Sequence, residues 1–219
     1  TPNADNAYQN KLDEALLAQE TAAADDKIDL FLIEADYALK YVNTDYTLDV
    51  YTDVGLTEDD TSAMYGYTKD VCTDANGALK GLSWQACPAG LIYRRSIAKA
   101  VLGTDDPAEV QAKLDSWDKF NAVAADAKAL DYLMVAGYDD DYRVFSNNAT
   151  TTWVDANNKI QFDPNILAWI DQTKTFTDNG YNNKAILWSP EQWVGAKADG
   201  KVMCYFGPGW FFDFCLAPA

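Results

Sequence analysis

The run Gly81-Leu82-Ser83-Trp84-Gln85-Ala86-Cys87-Pro88-Ala89-Gly90-Leu91-Ile92-Tyr93-Arg94-Arg95 carries no acidic residue, in a chain of 219 residues whose formal net charge is −17. It reads as two short strands, roughly 78–86 and 91–94. Pro88 and Gly90 part them, because a missing ladder donor and a missing side chain both bend extended backbone. Upstream, the Asp74-Ala75-Asn76-Gly77 turn closes a helix expected over 58–73. Earlier still, apolar residues at helical spacing (Tyr8, Leu12, Leu16, Leu17) predict a helix over 6–24. The apolar run 28–33 suits a strand buried on both faces. Glu34-Ala35-Asp36 then turns into a brief helix over 37–42, which makes half of a βαβ unit. Downstream, helices are expected over 96–102, 107–114 and 117–130, with Asp105 or Asp106 capping the one that starts at Pro107. A buried strand over 132–136 stops at Gly137, and a hairpin pairs 151–154 with 159–162. A long helix runs from Asp163-Pro164 to about 178 and ends at Asn179-Gly180. A helix over 190–198, a strand over 201–206 and a turn at Gly207-Pro208-Gly209 complete the pattern. Helices alternating with buried strands place the chain in the α/β class. No period of 20–50 residues repeats, which excludes a solenoid.

Composition narrows what such a chain can do. Asp and Glu number 34 against 17 Lys and Arg, a balance that repels nucleic acid and anionic membrane surfaces. No apolar run approaches the ~20 residues that span a bilayer. The absence of histidine removes Ser-His-Asp and Cys-His catalysis and histidine-ligated zinc. Four cysteines, Cys72, Cys87, Cys204 and Cys215, form no CxxC pair. They allow three full pairings; isolated buried thiols are the simpler expectation. The chain opens on Thr1-Pro2 and ends beyond Phe211-Phe212-Asp213-Phe214, so it reads as part of something longer.

Two groups of residues could carry function. Seven tryptophans and thirteen tyrosines recur beside turns: Trp84 before Pro88, Tyr138 after Gly137, Trp188 before Pro190, Trp210 after Gly209. An indole face packs well on the C–H face of a sugar ring, although each of these could equally be an ordinary core aromatic. The second group is polar: Asp36 after one strand, and Tyr138-Asp139-Asp140-Asp141-Tyr142-Arg143 after another. In open α/β sheets ligands bind beyond the carboxyl ends of strands, where both segments fall. Carboxylates there can accept hydrogen bonds from sugar hydroxyls; a solvated acidic turn is the plain reading for at least one of Asp139–Asp141. The DxDxDG spacing of a calcium loop is lacking. Asn148-Ala149-Thr150 matches a glycosylation acceptor, a short and common pattern.

Several segments together resemble the carbohydrate-binding extracellular solute-binding proteins of ABC transporters, the maltose-binding-protein-like family 1 group. Asp29-Leu30-Phe31-Leu32-Ile33-Glu34-Ala35-Asp36 is similar to the family strand that ends in a ligand-facing aspartate. Gly90-Leu91-Ile92-Tyr93-Arg94-Arg95-Ser96-Ile97-Ala98-Lys99 is similar to its crossover segment, with Arg94 where asparagine is usual. Asp115-Ser116-Trp117-Asp118-Lys119-Phe120 resembles a family helix start. Asp199-Gly200-Lys201-Val202-Met203 with Gly207-Pro208-Gly209-Trp210 resembles its GKAAM…GPW element, with one extra glycine. The four matches occur in the family's order.

The resemblance implies a change of sheet at the quoted stretch, where the chain passes from one lobe to the next. It implies an α/β, periplasmic-binding-protein-like two-lobe fold, here incomplete. Residues 1–86 form a partial N-terminal lobe, and residues 87–219 form a C-terminal lobe truncated before the return crossover. Asp36 and Trp84 are expected to face ligand from one lobe, and Tyr138, Asp139 and Trp210 from the other. Trp188 joins them on its own reading as an edge residue before Ser189-Pro190, and Tyr8 is a lesser candidate. The implied function is reversible capture of a sugar or oligosaccharide in an interlobe cleft and delivery to the permease subunits of an ABC importer. The protein is then an extracellular, lipid-anchored or periplasmic monomer with no catalytic residue, cofactor, metal or nucleic-acid partner. A glycoside hydrolase, with a paired carboxylate of raised pKa, and a non-transport carbohydrate-binding surface domain are the alternatives.

Overall fold

The computed structural model describes residues 4–218; Thr1-Pro2-Asn3 and Ala219 lie outside it. The chain divides into two compact units, Thr1–Ala86 and Cys87–Ala219. None of the described helices is long and apolar enough to cross a membrane.

In the first unit, α1 spans Ala7–Ala18 and buries Leu12 and Leu16 against Tyr41 of α2 (Leu39–Val42). Lys40 and the Tyr41 hydroxyl both reach the Asp13 carboxylate, at 2.6 and 3.0 Å. The run 28–33 does not form the expected strand: it is extended but joins no ladder among the described residues. Phe31 and Ile33 pack inward, whereas Leu30 and Leu32 are 87% and 61% exposed. One face is covered, not two. Side chains satisfy its backbone instead. The Gln19 amide bonds both the N–H and the C=O of Ile28, at 2.9 and 2.8 Å, and the Tyr8 hydroxyl donates to the Leu32 carbonyl at 2.6 Å.

The helix expected over 58–73 is broken into a 3-10 turn, Asp59–Thr61, and α3, Gly66–Asp70. Thr57 donates to Asp60 from both its N–H (2.8 Å) and its hydroxyl (2.7 Å). With the Asp60 N–H pointing back at Thr57 Oγ1, these bonds form a capping box that starts the first turn. Tyr65 is extended just before Gly66, which separates the two turns. Thr73 and Leu79 form a single antiparallel bridge across the Asp74–Gly77 turn. No strand runs on to residue 86.

The second unit is built around a two-stranded antiparallel sheet. β1, Ala89–Tyr93, pairs antiparallel with β2, Cys204–Pro208, in the register Ala89↔Pro208 to Tyr93↔Cys204. β2 therefore begins later than expected and includes Gly207 and Pro208, which were read as turn. Gly207 is required there by packing, since an added Cβ would lie 2.6 Å from the Phe211 ring. Within the expected strand 132–136, Met134, Val135 and Ala136 are buried, but Tyr132 and Leu133 are only partly covered. This segment contributes only isolated parallel bridges, Leu133↔Val202 and Gly137↔Ala185.

Helices cover the sheet. α4 (Arg95–Leu102) ends on Gly103 at φ +78°. α5 (Pro107–Leu114) is capped by Asp106, whose carboxylate accepts from the N–H groups of Ala108 and Glu109. Asp105 instead pairs with Arg95 at 2.9 Å. Ser116 caps α6, Trp117–Ala129. α7 is Tyr142–Ser146. Asp163 caps α8, Pro164–Asp178, and also accepts from the N–H groups of Thr150 and Thr151, both at 2.8 Å. These bonds hold its carboxyl well below the usual range. The expected hairpin appears as one bridge, Val154↔Ile160. Phe120 of α6 stacks on Phe176 of α8 at 6.2 Å over Met134 and Met203. Burying each such phenylalanine contributes about 1.5–3 kcal/mol.

α9 (Pro190–Val194) is shorter than the expected 190–198. The carbonyls of Gly195, Ala198 and Gly200 accept from the Arg94 guanidinium, so the chain there loops around a cation and does not continue the helix. α10, Gly209–Phe211, follows β2 directly and leads into a π-helical turn, Phe212–Leu216.

All four cysteines are free thiols. Cys72 and Cys204 are buried, but Cys215 is only partly covered and Cys87 is exposed, which corrects the expectation of buried thiols for those two.

Candidate functional site

The parallel bridges fix the geometry of the second unit's site. Residues 133–137 run alongside β2 on one flank, with N–H···O bonds from Met203 to Leu133 (2.8 Å) and from Cys204 to Met134 (3.0 Å). On the other flank they run alongside Ala185. All three segments therefore end at one edge. Tyr138 and Asp139 leave the first, Trp188 lies three residues past Ala185, and Trp210 lies two residues past the end of β2. Ligand sites in α/β sheets form at such carboxyl ends.

Gly137 permits this closeness: an added Cβ would sit 2.1 Å from the Ala185 carbonyl oxygen. Beyond it, the indoles of Trp188 and Trp210 stack at 5.2 Å between centroids and 25° between planes. Phe211 meets Trp188 edge-on at 5.4 Å. Trp188 and Trp210 remain 50% and 38% exposed, so the pair is a platform with an open side and not a core contact. Tyr138 is also exposed, and its carbonyl accepts from the Thr173 hydroxyl at 3.0 Å. Asp139 is partly buried; its Oδ1 is itself closed off from solvent and has no hydrogen-bond partner among the described residues.

Trp188 has φ +65°, a left-handed conformation that costs a bulky L-residue on the order of 1–3 kcal/mol. Its main-chain N–H donates to Gln192 Oε1 at 2.9 Å. Gln192 Nε2 in turn donates to Asp140 Oδ1 at 2.5 Å, and Asp140 Oδ2 accepts from the N–H groups of Ala136 and Gly137 at 2.6 and 2.7 Å. Burial pushes the Asp140 carboxyl up, and these three bonds oppose it. Asp141 accepts from Gln172 Nε2 at 2.5 Å and is pushed up to about 6, chiefly by burial. Asp140 and Asp141 are thus buried and do not belong to a solvated acidic turn. Gln192 and Phe211 were not visible as site residues. The only clue was Gln192 four residues after a tryptophan that precedes Ser-Pro.

In the first unit, Asp36 lies in the exposed 3-10 turn Ala35–Tyr37, and Trp84 stands 79% exposed in a loop. Tyr8 lines an apolar groove of about 510 Å³ with Leu12, Leu30 and Phe31, which none of the other candidates lines. The second-unit candidates Tyr138, Asp139, Trp188 and Trp210 share one edge. Arg94 is taken up by three carbonyls of its own unit, as described above. No group of three or more potential metal-ligating side chains occurs among the described residues.

Among solved structures, the chain is similar to an extracellular solute-binding protein of family 1, with a TM-score of 0.68 and 18% identity over 94% of this chain and 53% of that one. It is also similar to an ABC transporter associated binding protein from B. animalis subsp. lactis Bl-04 in complex with β-1,6-galactobiose, with a TM-score of 0.57 and 21% identity over 93% of this chain and 49% of that one. At such identities the likeness speaks to the fold alone, and the chain spans about half the length of these structures. None of the curated proteins matches the sequence significantly. The sequence profile of the bacterial extracellular solute-binding proteins matches residues 1–214, nearly the whole chain, so this chain belongs to the bacterial extracellular solute-binding proteins and carries part of their α/β two-lobe fold.

Proposed function

We propose that the full-length protein binds a sugar or oligosaccharide reversibly and delivers it to the permease subunits of an ABC importer. The observation that carries this reading is the half-exposed Trp188–Trp210 stack at the edge where three parallel segments end. A flat aromatic surface excludes water from the C–H face of a pyranose without demanding close shape complementarity. Tyr138 and Asp139 would bond sugar hydroxyls beside it. Asp36 and Trp84 are the contacts proposed from the first unit. The protein would act as a monomer outside the cytoplasmic membrane, by lipid anchor or in the periplasm, without chemistry on its ligand and without binding nucleic acid. The galactobiose held by one structural neighbour makes a β-linked galactoside a natural first probe.

The test is calorimetric titration of the full-length protein with a panel of oligosaccharides that includes β-1,6-galactobiose, with the sugars recovered and weighed by mass spectrometry. The expected result is saturable binding of intact sugar. Trp210→Ala should weaken it by about 1–3 kcal/mol, the scale of one lost aromatic contact. Cleaved sugar would establish the hydrolase reading instead, and an unchanged affinity in Trp210→Ala would remove the platform from the site.

A further inference from the structure

We propose that Asp140 and Gln192 are positioning residues of the platform, forming a relay of fixed polarity that holds the Trp188 indole over Trp210. The proposal rests on the reading of the tryptophan pair as the ligand surface, and it concerns what keeps that surface assembled.

The relay starts from two main-chain donors. The N–H groups of Ala136 and Gly137 both point at Asp140 Oδ2, at 2.6 and 2.7 Å. With Asp140 ionised, its remaining oxygen can only accept. Facing it, Gln192 must present Nε2, and does so at 2.5 Å. The amide oxygen is thereby aimed the other way, where it accepts the main-chain N–H of Trp188 at 2.9 Å. A reversed amide would set oxygen against carboxylate at one end and N–H against N–H at the other. Gln192 is 1% exposed, and its main-chain carbonyl takes the Tyr205 hydroxyl at 3.1 Å, so it has no room to turn away. The residue thus held is Trp188, whose φ of +65° is not one a tryptophan adopts unaided. The sheet edge that carries Tyr138 and Asp139 is in this way tied through two buried side chains to the turn that carries Trp188.

The polarity makes a sharp test with near-isosteric changes. Asp140→Asn, with its oxygen kept on the two backbone donors, offers an N–H₂ to Gln192 and forces a donor clash somewhere along the relay. Gln192→Glu sets two carboxylates against each other. The double variant Asp140→Asn, Gln192→Glu restores complementarity, since the new amide donates to the new carboxylate, whose other oxygen accepts the Trp188 N–H. Gln192→Met removes both bonds without burying a second charge and guards against a single variant that fails to fold.

The readout is the exciton circular dichroism of the stacked indoles in the full-length protein without sugar, alongside urea unfolding. The expected result is at least a halving of the exciton signal in Gln192→Met and in each folded single variant, and its return in the double variant. A signal that persists in Gln192→Met while stability falls would reduce Gln192 to a packing residue and overturn the proposal. So would a double variant no better than the worse single one. β-1,6-galactobiose titration of the same proteins separates the two readings. A lost exciton signal with unchanged sugar affinity refutes the platform as ligand surface while leaving the relay standing.

Discussion

Replacing Gly137 by alanine tests whether the parallel contact with Ala185 sets the geometry of the site. The new methyl would lie 2.1 Å from the Ala185 carbonyl oxygen and 2.9 Å from its carbon, where ordinary contact begins at 3.4 Å. The neighbour is backbone and cannot rotate away, so the two segments must part by more than an ångström. Two hydrogen bonds cross this seam, from the N–H groups of Asn183 and Ala185 to the Ala136 carbonyl, both at 3.1 Å. Overpacking costs about 1–3 kcal/mol, and weakening two buried bonds adds about 1 kcal/mol. A total loss of about 2–4 kcal/mol should lower the unfolding temperature by roughly 10 °C, read by calorimetry. Because the displaced segment leads into Trp188, the indole exciton signal should fall in the protein that remains folded. A Gly137→Ala protein with unchanged melting temperature and unchanged indole coupling would refute the reasoning, since the close approach would then not exist in solution.

Two further outcomes follow from buried polar groups. Burial holds the Asp141 carboxyl at about 6, above its ordinary 3.8, so its protonated form is the better-tolerated one in the fold. Stability tied to this group is fully present below about pH 4 and is lost as pH rises through 6. Asp141→Asn should therefore match the parent near pH 4 and exceed it by up to about 3 kcal/mol at pH 7, and urea midpoints across that range that stay parallel would contradict it. Arg94→Met frees the carbonyls of Gly195, Ala198 and Gly200 and should cost about 1–3 kcal/mol of stability by urea unfolding. Arg94→Lys should fail to restore it, because a single ammonium cannot span three carbonyls in a planar fork.

Legibility in the sequence followed the range of the forces involved. Helices defined by local caps were read nearly to the residue: Asp106-Pro107, Ser116-Trp117 and Asp163-Pro164 all start helices where their side chains accept first-turn N–H groups. The run 28–33 was misread because an apolar hexamer says nothing about partners, and here Gln19 and Tyr8 satisfy its backbone in place of neighbouring strands. The 58–73 helix is interrupted where Tyr65 turns extended just before Gly66, a break that apolar spacing does not reveal. At the site, Trp188 and Trp210 were recognisable from their turns, but their stacking was not, since it depends on contacts 22 residues apart along the chain. Arg94 was left only partly explained by sequence because its acceptors lie about a hundred residues away. The burial of Asp140 and Asp141 was equally hidden, because three consecutive aspartates read as solvent-facing until Gln172 and Gln192 are placed over them.

Comparison among the chain's own tryptophans shows what distinguishes a held surface from a packed core. Trp117 stacks on Phe145 at 4.3 Å and meets Phe120 edge-on at 5.5 Å; it sits in the first turn of α6 and packs against the main core cluster. Its position follows from burial alone. Trp188 is half exposed, sits at positive φ, and precedes a helix of only five residues. Neither propensity nor burial favours that state, and strain of this kind persists only where the surroundings over-determine it. Here they do so three times: through the Gly137 contact that brings Ala185 in, through the Gln192 amide on the Trp188 N–H, and through Trp210 and Phe211 against the ring. A side chain that contributed only apolar area could reach the same stability at lower cost by folding inward. Three separate constraints acting to keep one indole half exposed are what a surface used for contact requires, and a core has no need of them.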